Sequence, residues 1–128
     1  NFPGDNRHQA FAEDAFKFLD TMGDQYDLII LDPPAFAKHK KVLNNALQGY
    51  RKLNAKAFEK IRPGGILFTF SCSQVVSKEN FRLAVFSAAA QSGRNVRILH
   101  QLTQPADHPV NIYHPEGEYL KGLVLYVE

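Results

Sequence analysis

The stretch that most constrains how this chain can fold is Leu28-Ile29-Ile30-Leu31, four apolar residues that stop at Asp32-Pro33-Pro34. Its length and branching predict a strand buried on both faces. Proline lacks an N–H, fixes its own φ and pushes the preceding residue away from helix. The chain must therefore leave the sheet at Asp32, in a stiff loop that holds this carboxylate at the strand's carboxyl end. In open α/β sheets that edge is where ligands bind. Asp32 is a functional candidate on this ground, and its plainer reading is a cap for the turn that follows.

The rest of the chain agrees with a parallel sheet. At 128 residues it holds one domain at most. Asp14-Ala15-Phe16-Lys17-Phe18-Leu19 begins a helix that Gly23 is placed to end. Arg7 to Ala12 is read as a short strand before it. Leu43, Ala46, Leu47, Tyr50, Leu53, Asn54, Ala57, Phe58 and Ile61 recur at helical spacing, and Pro63-Gly64-Gly65 should stop that helix. Ile66 to Phe70 is a second buried strand, running into Ser71-Cys72-Ser73. Ser77 caps a third helix, with Phe81, Ala84, Val85, Ala88 and Ala89 inward and Gly93 beyond its end. Val96 to Leu102 and Tyr119 to Val127 are further strands, separated by a proline-containing loop over 104–118. Strands alternating with helices predict an α/β fold, with a mainly parallel sheet and helices on both of its faces.

Composition narrows the function classes. Hydrophobic residues make up 45% of the chain, enough for a core, and the formal charge of +2 is too small by itself to require a polyanion partner. The charge is nevertheless uneven. Lys38, Lys40, Lys41, Arg51, Lys52, Lys56, Lys60 and Arg62 crowd one region, where only Glu59 opposes them. They suit phosphate contacts, or simply a solvated helix face. No run is long enough to span a membrane and no signal-peptide pattern is present. The single cysteine excludes an internal disulfide and fits a reducing, cytoplasmic setting. His39, His108 and His114 lack the company of a metal site.

Two strands joined by one crossover helix thus end in Asp32-Pro33-Pro34 and Ser71-Cys72-Ser73. Adjacent parallel strands lie about 5 Å apart, so Asp32 and Cys72 should emerge on the same sheet edge. A thiolate there is a carbon nucleophile; a buried lone cysteine is equally a small core filler.

Taken in order, Asp32-Pro33-Pro34-Ala35-Phe36, Gly49-Tyr50-Arg51-Lys52-Leu53-Asn54, Arg62-Pro63-Gly64-Gly65-Ile66-Leu67, Ser71-Cys72-Ser73, Gln104-Pro105-Ala106-Asp107-His108-Pro109 and His114-Pro115-Glu116-Gly117-Glu118-Tyr119-Leu120-Lys121-Gly122 form a set. That set resembles the catalytic half of the class I S-adenosylmethionine-dependent methyltransferases that act on C5 of cytosine in bacterial 23S ribosomal RNA. The resemblance implies a Rossmann-like sheet with an antiparallel last strand and with its N-terminal strands missing. It also implies S-adenosylmethionine as cofactor and RNA as partner. Cys72 matches the nucleophile that adds to C6, turning the ring into an enamine able to attack the sulfonium methyl. Asp32 matches the acid that binds the cytosine N3/N4 edge. Pro33, Pro34 and Phe36 would shape a slot for an extruded base, with Lys38, Lys40, Lys41 and His108 at its rim. Asp14 matches the acid that contacts the cofactor's adenine amine, with Ala15 and Phe16 alongside and Asp32 and Pro33 completing that side. Asp14 could equally cap its own helix.

The sequence departs from the family in three ways. Relatives with a second cysteine after the proline motif use it in product release, and Ala35 and Phe36 stand there instead. This fits the large-subunit branch. The glycine-rich cofactor loop and the ribose-binding acid are absent, as is the RNA-binding accessory domain. The expected unit is therefore residues 1–128 as the C-terminal part of a methyltransferase domain, inactive alone, with its central strand left as an apolar edge that could pair with a second copy. Two alternatives stand beside it. One is an N6-adenine or N2-guanine methyltransferase, which needs no cysteine and usually has an aromatic directly after the prolines. The other is a degenerate RNA- or protein-binding module.

Overall fold

The computed structural model describes residues 3–23, 26–36 and 42–128. Helix α1 (Ala15–Thr21) precedes strand β1 (Tyr26–Leu31), α2 (Leu43–Lys60), β2 (Ile61–Ser71), α3 (Lys78–Ser92), β3 (Val96–Leu102) and β4 (Lys121–Val127). The four strands form one sheet in the order β1-β2-β4-β3. β1 and β2 are parallel, and β4 lies between β2 and β3, antiparallel to both. Three strands therefore run one way and the last runs against them, as the family resemblance implied.

Local signals explain most boundaries. The Asp14 side chain accepts from the Lys17 N–H at 3.1 Å, and Ser77 accepts from Asn80 N–H at 3.1 Å, so both helices start on a side-chain cap. Gly93 closes α3 at φ 69°, a left-handed cap that suits glycine. Gly23 has no such role, because α1 already ends in extended backbone at Met22. Nor does Pro63-Gly64-Gly65 end α2. The helix stops at Lys60, and 62–65 form an irregularity inside the β1–β2 pairing, between Tyr26↔Ile61 and Leu28↔Ile66. Gly64 has φ 82°, and a Cβ on Gly65 would lie 2.6 Å from the Ile61 side chain and 3.0 Å from the Asp27 carbonyl oxygen.

The core lies on one face of the sheet. Tyr50, Leu53, Ala57 and Phe58 of α2 and Phe81, Ala84, Val85 and Ala88 of α3 are buried there. They share a core with Leu67 of β2 and Leu123, Leu125 and Val127 of β4. Helices on both faces were expected, but both long helices cover this same face. A right-handed crossover puts its helix on a side set by the direction in which the chain steps along the sheet. Both crossovers step away from β1, so both helices fall together.

β1 departs from expectation for a related reason. Ile29 is half-buried and Leu31 buried on the helix side, while Leu28 and Ile30 are 52% and 61% exposed. Among the described residues β1 pairs only with β2 and is an edge, as the missing-strand reading anticipated. Residues 7–12 are not a strand; with no neighbour to pair with, an extended segment has no ladder to join.

Candidate functional site

The parallel register of β1 and β2 sets the geometry. Leu31 pairs with Thr69, so the position after it, Asp32, is level with Phe70, two residues short of Cys72. Their backbones are thus offset by about 5 Å across the strands and about 7 Å along them. Both leave the sheet at its carboxyl edge. The Asp32 carboxylate is exposed and Cys72 is half-buried, neither sealed in the core nor fully open.

Tyr50 joins the two loops. It projects from α2, is fully buried, and its hydroxyl accepts from Ser71 Oγ at 2.9 Å. The backbone of Phe36 also hydrogen-bonds that hydroxyl. Its ring packs edge-on to Phe36, at 4.7 Å between centroids, and to Phe81 at 5.4 Å. Burial raises the Tyr50 pKa above its ordinary value, against the bonds to Ser71 and Phe36, which lower it. The neutral phenol is the form held. Gly49 lets the Phe36 ring approach, since a Cβ there would stand 3.3 Å from it.

The Ser71-Cys72-Ser73 turn is held from two further directions. Ser71 Oγ accepts from the Ser73 N–H at 3.3 Å. Lys121, the first residue of β4 and paired with Ser71, donates from Nζ to the Ser73 carbonyl oxygen at 2.7 Å. Lys121 is 6% exposed. Burial lowers its pKa, an effect opposed by attraction to Cys72 and reinforced by repulsion from Lys78. Neither the Tyr50 hydroxyl nor the Lys121 ammonium was singled out from sequence. A lone lysine in the apolar Lys121–Val127 strand was the available signal.

The other expected residues are spread more widely. Pro33 is half-buried, Pro34 exposed and Phe36 half-buried against Tyr50. Asp14 is exposed and caps α1, with Ala15 exposed and Phe16 partly packed on the core. A cavity of about 390 Å³ runs between α1 and β1, with walls that include Phe11, Ala15, Phe18, Leu28 and Ile30. Cys72 is not among its lining residues. Lys38, Lys40, Lys41 and His39 lie outside the described residues.

Much of the basic face of α2 is engaged. Lys56 pairs with Asp20, Lys60 reaches the Met22 carbonyl at 3.4 Å, and Arg62 pairs with Asp27 at 3.3 Å. These cations tie α2 and β2 to α1 and β1. In the late loop, His108 Nε2 meets the Tyr119 hydroxyl at 3.1 Å and His114 meets Glu116 at 3.1 Å. Lys78 of α3 bridges to Glu118 at 2.5 Å and holds the Glu118 carboxyl below the usual carboxylate range, anchoring the loop beside the Cys72 turn. Among the described residues no group of three or more His, Cys, Asp or Glu is placed to hold a metal ion. No helix among them is long and apolar enough to cross a membrane.

Comparison with known proteins agrees with this architecture. No family model matches the chain. The chain is 47% identical over 116 residues to a Tolumonas auensis protein named ribosomal RNA large subunit methyltransferase I, covering 88% of this chain and 29% of that protein. Proteins of the same name from Aeromonas hydrophila and Shewanella amazonensis are 44% and 43% identical, over 91% and 94% of this chain and 30% and 31% of theirs. The chain thus spans about three-tenths of the length of these relatives. Two solved structures share the fold. One, of a protein assigned as a methyltransferase and complexed with SAH, matches with a TM-score of 0.68 at 24% identity, over 88% of this chain and 29% of that one. The other, an assigned SAM-dependent methyltransferase from Streptococcus mutans, gives 0.67 at 23%, over 88% and 28%. The chain shares the fold of these two structures, and its likeness to the named methyltransferases extends along nearly its whole length.

Proposed function

We propose that this chain, residues 1–128, is the C-terminal part of the catalytic domain of a SAM-dependent methyltransferase that modifies C5 of a cytosine in large-subunit ribosomal RNA. The observation that carries this reading is the convergence of the Asp32 and Cys72 loops at one sheet edge, joined through the Tyr50 hydroxyl. The names of the relatives support the substrate class.

S-adenosylmethionine, when bound, supplies an electrophilic methyl group. The described residues fit one end of it. The cavity beside α1 has largely apolar walls suited to a flat purine, with Glu13 among them, and the exposed Asp14 carboxylate that caps the adjoining helix would accept from an exocyclic amine. The chain's own residues would do the remaining work. The Cys72 thiolate gives an electron pair to C6 of the base, forming a C–S bond and making C5 nucleophilic. Asp32, at the end of β1, holds the N3/N4 edge and offsets the charge that develops on the ring. Once C5 carries the methyl, a base removes its proton and the C6–S bond breaks, returning the pair to sulfur. Pro33, Pro34 and Phe36 form a rigid wall against which an extruded base can rest. Lys38, Lys40, Lys41 and His108 would meet RNA near that opening. The setting is cytoplasmic, with the bare edge of β1 covered by further chain or by a second copy.

The test is Cys72→Ala in the full-length protein, with the nucleosides of treated large-subunit RNA read by mass spectrometry. Loss of 5-methylcytidine by at least about a thousand-fold is expected for a lost covalent nucleophile. Unchanged methylation, or a product methylated on an exocyclic amine, would overturn the reading in favour of amine methylation.

A further inference from the structure

The Lys121 ammonium is an unusual group to bury. It lies in a strand whose other residues are almost all apolar, it is 6% exposed, and among the described residues no carboxylate pairs with it. Burying a charge without a counter-charge is costly. Its hydrogen bond goes to the carbonyl oxygen of Ser73, the residue after Cys72. Lys121 also pairs across the sheet with Ser71, so the ammonium is set against the turn that carries Cys72 from both of its flanking residues. The titratable groups near that turn come from four elements. Tyr50 approaches from α2 as a neutral phenol, and Asp32 ends β1 as a like charge to any thiolate. Lys78 at the start of α3 is committed to Glu118. Lys121 of β4 is the buried cation among them.

We infer that Lys121 is a positioning residue that fixes the Ser71-Cys72-Ser73 turn and sets a positive charge at the turn that carries the Cys72 sulfur, so that the attacking thiolate is held ready and is received again when the adduct breaks. The inference rests on the reading of Cys72 as nucleophile. A positive charge beside a thiol favours its ionised form, and the thiolate in turn compensates the buried ammonium. The hydrogen bond to Ser73 and the charge toward Cys72 are separable, which makes the role testable.

Because Cys72 is the chain's single cysteine, iodoacetamide reports on it alone. Alkylation rates are measured at pH 7 and pH 10 for the parent, Lys121→Arg, Lys121→Gln and Lys121→Met. At pH 7 the Gln and Met variants should react about five-fold more slowly, while Arg stays within about two-fold of the parent. At pH 10, where a thiol ionises without help, all four should react alike. Gln keeps a donor for the Ser73 carbonyl without the charge, so the Gln–Arg pair decides the matter even if the Met variant does not fold. Equal rates at pH 7 would overturn the inference. So would slowing by the same factor at both pH values, which marks altered access rather than lost charge. No methyl transfer is involved, so this result stands apart from the Cys72→Ala test. If Cys72→Ala abolishes methylation while Lys121→Gln leaves alkylation unchanged, only the role of Lys121 falls.

Discussion

At the scale of single residues, the site depends on Tyr50 more than its place in the sequence suggests. Helical spacing marks Tyr50 as an inward residue of α2, but spacing says nothing of what the end of a buried side chain meets. The hydroxyl meets both loops that carry the proposed chemistry. Tyr50→Phe keeps the ring packing against Phe36 and Phe81 and deprives Ser71 Oγ of its acceptor. A loss of about 1 kcal/mol in urea unfolding is expected. The folded-state pKa of Tyr50 lies above its unfolded value, so its contribution is complete below pH 10 and is lost as pH rises from there toward the folded value. Stability of the parent should therefore fall more steeply than that of Tyr50→Phe above pH 10. Identical slopes would contradict the assignment. The placement of Asp32 and Cys72 at one edge of the sheet was legible because prolines and apolar runs fix where the strands must stop. Lys121 was visible only as an exception in its strand, and its partner across the sheet emerged with the β2–β4 register.

At the scale of elements, the caps at Asp14, Ser77 and Gly93 followed their local signals, whereas the expected stops at Gly23 and Pro63-Gly64-Gly65, the burial of β1 and the layer placement did not. Ser77, Asp14 and Gly93 act within one turn of themselves, so their neighbours in sequence decide the outcome. Which face a helix covers, and whether β1 is central or an edge, depends on strands far away in sequence. Arg94 shows the same contrast. It is an unremarked polar residue after α3, yet its guanidinium donates to the carbonyl oxygens of Phe58 at 2.9 Å, Ile61 at 3.1 Å and Glu128 at 2.6 Å. One side chain thus fastens the end of α2, the start of β2 and the end of β4. Arg94→Ala should cost about 2 kcal/mol in equilibrium unfolding, since it strips charged donors from three carbonyls. A change below about 0.5 kcal/mol would show that water replaces the guanidinium without loss.

At the scale of the whole molecule, the helices protect one face and leave an apolar edge at β1. Exposed Leu28 and Ile30, together with backbone groups on the side of β1 that no described strand pairs, make this edge a surface that needs a cover. The isolated chain is expected to associate at tens of micromolar, and Leu28→Lys with Ile30→Lys should return it to a 14.4 kDa monomer by light scattering. A parent that is monomeric at those concentrations would contradict this. The central claim is that Cys72 adds to a pyrimidine gripped by Asp32. Its most direct test is to present the full-length protein, with S-adenosylmethionine, with large-subunit RNA carrying 5-fluorocytidine. Fluorine at C5 cannot leave as a proton does, so the C6–S bond should persist. The account predicts a denaturation-resistant protein–RNA adduct that maps to Cys72 and disappears in Cys72→Ala. No adduct in the parent, or an adduct that survives Cys72→Ala, would contradict it.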